Sequence, residues 1–161
     1  MAKKEEKTNV MRVLEQKQIP YTAHTYPADG PTDGVSVANY LHQDVEQVFK
    51  TLVTNAASGI YYVFDIPVAE NLDLKKAAKA VGEKSIAMIP QKELLPLTGY
   101  VHGGCSPVGM KKQFHTVFHE TVILFDTICV SAGKIGAQVE VAPDALIALL
   151  GADTADVVVE A

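Results

Sequence analysis

Two features of this 161-residue chain are of a kind that can do chemistry. The first is Lys50, in the run Val48-Phe49-Lys50-Thr51-Leu52-Val53. In an extended strand alternate residues face opposite ways, so Val48, Lys50 and Leu52 share one face while Phe49, Thr51 and Val53 share the other. Both faces are apolar, which marks a central strand and sends the lysine somewhere enclosed. A buried ammonium without a partner is costly. It needs a carboxylate or a cavity holding an anionic ligand, unless its long stem carries the charge to the rim of the sheet.

The second feature is the segment from Thr98 to Lys112, which carries Gly99, Gly103, Gly104 and Gly109 around Cys105-Ser106-Pro107. Glycines this dense let backbone N–H groups approach a ligand closely. Such amides can hold a phosphate or stabilise a developing oxyanion. The alternative is a flexible hairpin tip. The spacing matches neither a Walker A loop nor a dinucleotide loop. A third stretch, Val130-Ser131-Ala132-Gly133-Lys134-Ile135-Gly136, reads as a strand end and turn, with Ser131 as a hydrogen-bond donor or as part of a plain β-turn.

Groups of nucleophile or metal-ligand type are sparse. No Gly-x-Ser-x-Gly elbow is present. Cys105 lies in the glycine segment, but nothing in the sequence supplies a base for it. His115 and His119 are four apart, a spacing that chelates a metal on a helix, whereas Thr116-Val117-Phe118 between them favours a strand. His24 stands alone in a β-forming run, as a structural residue or a pocket wall. No metal and no cofactor are expected.

These residues must be positioned by the elements around them. Val10, Val13 and Leu14 recur at helical spacing over residues 8–17, with Thr8 or Asn9 as N-cap, and Pro20 ends the helix. Residues 21–26 alternate as a strand. Residues 27–34, rich in Pro, Gly and Asp, form a loop, followed by a short helix with Val37, Ala38 and Leu41 inward. Asp44 and Gln47 have capping-box spacing for a single turn. Residues 48–54 and 60–66 read as a hairpin. Residues 71–81 read as a helix, with Asp73 at its start and Gly82 at C′. A strand at 85–89, a helical turn at 90–97 and strands at 116–118, 122–125, 127–131 and 137–141 follow. Pro143 opens a helix that Gly151 closes, and 157–159 reads as a last strand. Short turns join most of the strands, so an α+β class with a curled, largely antiparallel or mixed sheet is expected.

The length fits a single domain, residues 1–161, with a charged and frayed end at residues 1–7. That segment lacks the apolar core of a signal peptide, and no run reaches the roughly 20 apolar residues of a membrane helix. With two cysteines at unrelated positions, a cytoplasmic location with reduced thiols is expected, and no membrane partner. The net charge of −5 argues against a protein that coats nucleic acid, and no DNA partner is expected. Lys75, Lys76 and Lys79, and Lys111 with Lys112, could still touch a few phosphates.

Taken together, Val48-Phe49-Lys50-Thr51-Leu52, the segment Thr98-Gly99-Tyr100 through Lys112, and Val130-Ser131-Ala132-Gly133-Lys134 resemble the YbaK/EbsC family of Cys-tRNA(Pro) deacylases. Thr32-Asp33-Gly34-Val35 and Leu72-Asp73-Leu74-Lys75-Lys76 add to the likeness, which runs from about Val10 to the C-terminus. The resemblance implies a fold like the editing domain of prolyl-tRNA synthetase: a curled, barrel-like mixed sheet flanked by helices. It implies hydrolysis in trans of mischarged aminoacyl-tRNA, Cys-tRNA(Pro) above all, with release assisted by the substrate's own thiol. Alternatives within the fold are a deacylase for another small residue such as alanine, or a non-catalytic module that binds tRNA or a synthetase. The implied partners are the 3′ end of aminoacyl-tRNA and prolyl-tRNA synthetase. Lys50 matches the family's required lysine. Gly103, Gly104, Ser106, Pro107 and Gly109 match the segment lining the pocket, and Tyr21, Thr51, Ser131 and Gly133 fall where pocket residues are expected. The chain departs from the family at Ile135, His102 and Gln113, often basic in relatives, and at Cys105 and His119.

Overall fold

The computed structural model describes residues 7–160. Most of the N-terminal segment expected to fray, residues 1–6, lies outside the described residues, although Lys7 is placed and pairs with Glu15 at 2.6 Å.

The elements run α1 (Asn9–Gln16), β1 (Tyr21–Thr25), α2 (Gly34–Tyr40), β2 (Phe49–Ala56), β3 (Tyr61–Pro67), α3 (Leu74–Val81), β4 (Ile86–Met88), α4 (Leu94–Thr98), β5 (His115–His119), β6 (Ile128–Ser131), β7 (Ala137–Val141), α5 (Pro143–Leu150) and β8 (Asp153–Ala155). The helix ends follow local chemistry. Thr8 caps α1 by accepting the Met11 N–H, and Asp73 caps α3 by accepting those of Lys75 and Lys76. Gly82 and Gly151 adopt the left-handed conformation that ends α3 and α5.

The α+β class stands, but the expected single barrel-like sheet does not. The strands form two open sheets, a three-stranded antiparallel one in the order β1-β7-β6 and a five-stranded mixed one in the order β4-β2-β3-β5-β8. The β3–β5 and β5–β8 pairs are parallel. Between the sheets runs one isolated bridge, Val48 to Cys129. Beyond it β2 and β6 separate, so the seam that would close a barrel stays open.

Two further expectations change. Of the residues 122–125 read as a strand, 122–124 belong to a 3-10 helix, Glu120–Leu124, that leaves Ile123 and Leu124 exposed, and Phe125 follows it in extended conformation. The last strand is β8, and Val158 contributes only a bridge to Leu72.

Strand alternation explains the core. Phe49 and Val53 of β2, Val63 of β3 and Phe118 of β5 join Val130, Val139 and Val141 of the smaller sheet, and Val10 and Leu14 of α1, in the main cluster. On the other face of the larger sheet, Tyr62, Phe64, Ile66 and Val117 pack on Ala77 and Ala78 of α3. The larger sheet is therefore covered on both faces, as its near-continuous apolar strands require.

Candidate active site

A cleft of about 310 Å³ opens where β2 and β6 part. Its walls come from Val48 to Leu52, Val130 and Ser131, the loop from Thr32 to Val35, and His102, Gly103 and Cys105 of the glycine segment. The topology leaves this space. β4 pairs with β2 only at Thr54 to Ala56, and the one isolated bridge to the smaller sheet falls at Val48, just before β2 begins. Residues 49–52 thus border open space along one strand edge.

Lys50 stands in this wall, half-buried. Among the described residues its ammonium forms no ion pair. Burial holds its pKa below the usual lysine value, and the charge of Glu70 offsets part of that effect. A cation that is partly desolvated and unpaired gains from an anionic ligand. Of the two readings open in the sequence, a lysine that escapes to the rim or one facing an enclosed space, the half-buried place in a cleft wall lies nearer the second.

Thr51 occupies the same wall, and its hydroxyl donates to Asp65 Oδ1 across the β2–β3 ladder at 2.5 Å. Ser131 closes the opposite wall, where its Oγ accepts the Gly133 N–H at 3.1 Å. Lys50, Thr51, Gly103 and Ser131 are therefore the expected site residues that the fold brings together around the cleft.

The other expected residues do not line it. The glycine segment is pinned at its ends by Lys111 N–H donating to Thr98 O at 3.0 Å, and within by the Tyr100 hydroxyl donating to Val108 O at 2.5 Å. Ser106 and Pro107 are buried, and Ser106 Oγ accepts the Val108 N–H at 3.3 Å. Gly104 lies so close to the turn after β6 that an added Cβ would stand 3.0 Å from Ile135 N. Gly109 has φ +78°, and an added Cβ would meet the Tyr100 hydroxyl at 2.9 Å. Gly133 sits against Val10 and Tyr100. These glycines allow close approach, but to the protein's own chain. Gly103 alone of the glycines expected in the site borders the cleft. Tyr21 points elsewhere, and its hydroxyl donates to Glu15 Oε2 at 2.7 Å.

The departures are also placed. His102 faces the cleft. Ile135 leans on Gly103, and Gln113 donates to Phe114 O at 3.1 Å. Lys76, a candidate phosphate contact, is held by Asp156 and the Val158 carbonyl, both at 2.9 Å. Lys111 and Lys112 remain exposed.

Cys105 borders the cleft, but burial pushes its thiol up to about 12. It stays protonated near neutrality, the opposite of an activated nucleophile. His115 and His119 lie on β5, pointing the same way along a strand and bonded to Asp153 and to the Val157 N–H. Among the described residues one trio, His24, Cys129 and Glu140, brings ligand-type atoms within 4.8 Å of one another. Glu140 gives both its oxygens to hydrogen bonds, with His24 at 2.7 Å and Thr127 at 2.5 Å.

Sequence reasoning missed Tyr26, Leu94 and Gln138 of the cleft, and Asp65 behind it. For Asp65 a signal existed: it is the single charge in the apolar run from Tyr61 to Val68.

The aminoacyl-tRNA editing domain profile matches residues 32–149, which hold every cleft wall except Tyr26. A protein of Enterococcus faecalis (strain ATCC 700802 / V583), named as a candidate Cys-tRNA(Pro)/Cys-tRNA(Cys) deacylase EbsC, is 43% identical over 160 residues, 98% of each chain. The crystal structure of a candidate trans-editing enzyme for prolyl-tRNA synthetase superposes with TM-score 0.82 at 26% identity, covering 94% of this chain and 95% of that one. The structure of a protein designated APE2540 superposes with TM-score 0.85 at 21% identity, over 93% of this chain and 99% of the other, a likeness of fold.

Proposed function

The chain belongs to the aminoacyl-tRNA editing domain family, and from that membership we propose that it hydrolyses mischarged aminoacyl-tRNA in trans, with Cys-tRNA(Pro) as its substrate. The observation that carries the reading is Lys50: a partly desolvated cation, unpaired among the described residues, in the wall of a cleft shared with Thr51, Gly103 and Ser131.

An aminoacyl ester is already activated, so the reaction needs no strong protein nucleophile. Holding the ester in position and stabilising its oxyanion supply most of the acceleration. Lys50 anchors the anionic end of the substrate or the acyl group. Backbone amides at Gly103 cradle the reacting end. Gly104, Ser106, Pro107, Gly109 and Gly133 act one layer back, by fixing the loop on the turn after β6. Tyr21 has no part in the cleft. For a cysteinyl ester the substrate's thiol sulfur attacks its own carbonyl carbon. The C–S bond forms, the bond from carbonyl carbon to ribose oxygen breaks, and the thiol proton passes to the departing ribose oxygen. Water then opens the thiolactone. The high pKa of Cys105 supports a route without a protein thiolate.

The structural likeness to a candidate trans-editing enzyme for prolyl-tRNA synthetase supports that synthetase as partner, and with it a cytoplasmic place of action. No helix among the described residues is long and apolar enough to cross a membrane. The test is a deacylation panel with Cys-, Ala-, Ser- and Pro-tRNA. Turnover of Cys-tRNA(Pro) well above spontaneous hydrolysis is expected, and no turnover of any substrate would sink the enzyme reading. Capture of the chain by immobilised prolyl-tRNA synthetase tests the partnership.

A further inference from the structure

Asp65 is the one carboxylate residue fully buried among the described residues. Its Oδ1 accepts the Thr51 hydroxyl at 2.5 Å, and its Oδ2 has no hydrogen-bond partner among the described residues. It faces Thr51 across the β2–β3 ladder and Phe118 across the β3–β5 ladder, and its charge reaches the Cys105 thiol. Thr51 and Cys105 both border the cleft, so Asp65 lies directly behind its wall. A carboxylate buried with one oxygen unsatisfied is expensive, and an apolar side chain of similar size would serve packing better. The fold gains nothing evident from it.

The consequence falls on Thr51. A threonine hydroxyl has one proton to donate and two lone pairs to accept with. Its proton is committed to Asp65, so only a lone pair remains for whatever occupies the cleft. We propose that Asp65 is a positioning residue that sets specificity: it locks the Thr51 hydroxyl as a hydrogen-bond acceptor toward the cleft and so selects acyl groups that carry a donor. The proposal deepens the deacylase reading and rests on it for the identity of the ligand. A cysteinyl group offers two such donors, its ammonium and its thiol. A donor bonded to Thr51 also completes a chain ending on the carboxylate, and each link of such a chain polarises the next.

The lock has a built-in pH dependence. Burial raises Asp65 to about 7, and only the Thr51 bond opposes this. Above that value Asp65 is ionised and Thr51 is an acceptor. Below it the protonated carboxyl can donate to Thr51, whose own proton is then free to turn toward the cleft. The Cys105 thiol, which the charge of Asp65 reaches, titrates far higher, at about 12.

The test uses non-hydrolysable adenosine 3′-amides bearing cysteinyl, alanyl or 3-mercaptopropionyl groups, with binding to the full chain measured by calorimetry. The alanyl probe lacks the thiol and the mercaptopropionyl probe lacks the ammonium, so the two identify which donor Thr51 accepts. Above neutrality the wild type should bind the cysteinyl probe about ten-fold more tightly than the probe missing that donor. The ratio should collapse to near one in Asp65→Leu, whose side chain cannot accept from Thr51, and in Thr51→Val. It should survive in Thr51→Ser, and it should fall in the wild type as pH drops below neutrality. An unchanged ratio in a folded Asp65→Leu, or equal weakening of all three probes, overturns the proposal. Should Asp65→Leu not fold, the contrast of Thr51→Val with Thr51→Ser and the wild-type pH dependence decide it. No binding of any probe by the wild type also overturns it. Binding with the expected ratios, but without turnover of the matching tRNA esters, would sink the hydrolase reading and leave this one standing.

Discussion

Lys50 gives up part of its hydration to stand in the cleft wall and gains no ion pair among the described residues. Its charge therefore works for a ligand more than for the fold. Lys50→Met keeps the stem and removes the charge. It should lower kcat for Cys-tRNA(Pro) by about 100-fold or more, read by single-turnover deacylation, while leaving Tm unchanged or slightly raised. Because the lysine pKa is depressed, the enzyme-catalysed rate should fall on the alkaline side earlier than a solvated lysine would dictate. Asp65 makes the opposite demand on the fold. Its pKa is about 7 folded against about 4 unfolded, so its contribution to stability is full below the lower value. That contribution is lost as pH rises to the folded value. Asp65→Asn should therefore gain stability over the wild type across that window, on the order of a few kcal/mol at its top, and then hold level. Thermal denaturation across pH shows this directly, and a constant difference between the two proteins would refute it.

The elements that hold these residues rely on short-range chemistry and one long-range gap. Gly109 has φ +78° and no room for a Cβ beside the Tyr100 hydroxyl. Gly109→Ala should cost about 2–4 kcal/mol by denaturant unfolding, through backbone strain and the displaced Tyr100–Val108 bond. This short-range chemistry was also the legible part of the sequence. Thr8, Asp73, Gly82 and Pro143 mark helix ends by local hydrogen bonding and backbone preference, and each helix begins or ends where its residue predicts. The run 122–125 misled because four apolar residues carry no clear period, and a 3-10 helix uses them as readily as a strand. The parting of β2 and β6 was not legible, since it depends on segments some 80 residues apart whose one isolated bridge joins Val48 to Cys129. The glycine segment showed its importance but not its direction. Close approach to a ligand and close approach to Lys134–Ile135 demand the same residue type.

Across the whole molecule the charge is −5, so a tRNA meets no general excess of cations. Lys76 is already engaged by Asp156, whereas Lys111 and Lys112 stand exposed at the end of the loop that Gly103 belongs to. Binding should thus rest on the acyl end and a handful of phosphates. Plots of log affinity against log salt should have a slope of only about −2 to −4. Replacing both lysines with alanine should raise KM with little change in kcat. The two open sheets fit this economy, because the unsealed seam between β2 and β6 leaves a cleft lined from both sheets. The central claim is that this seam, with Lys50 in its wall, is where a mischarged ester is cleaved. It is tested most directly by the rate at which the purified chain releases cysteine from Cys-tRNA(Pro), measured beside Lys50→Ala. Release far above the spontaneous rate, falling to that rate in the variant, is the predicted result. A folded Lys50→Ala that releases cysteine as fast as the wild type would contradict it.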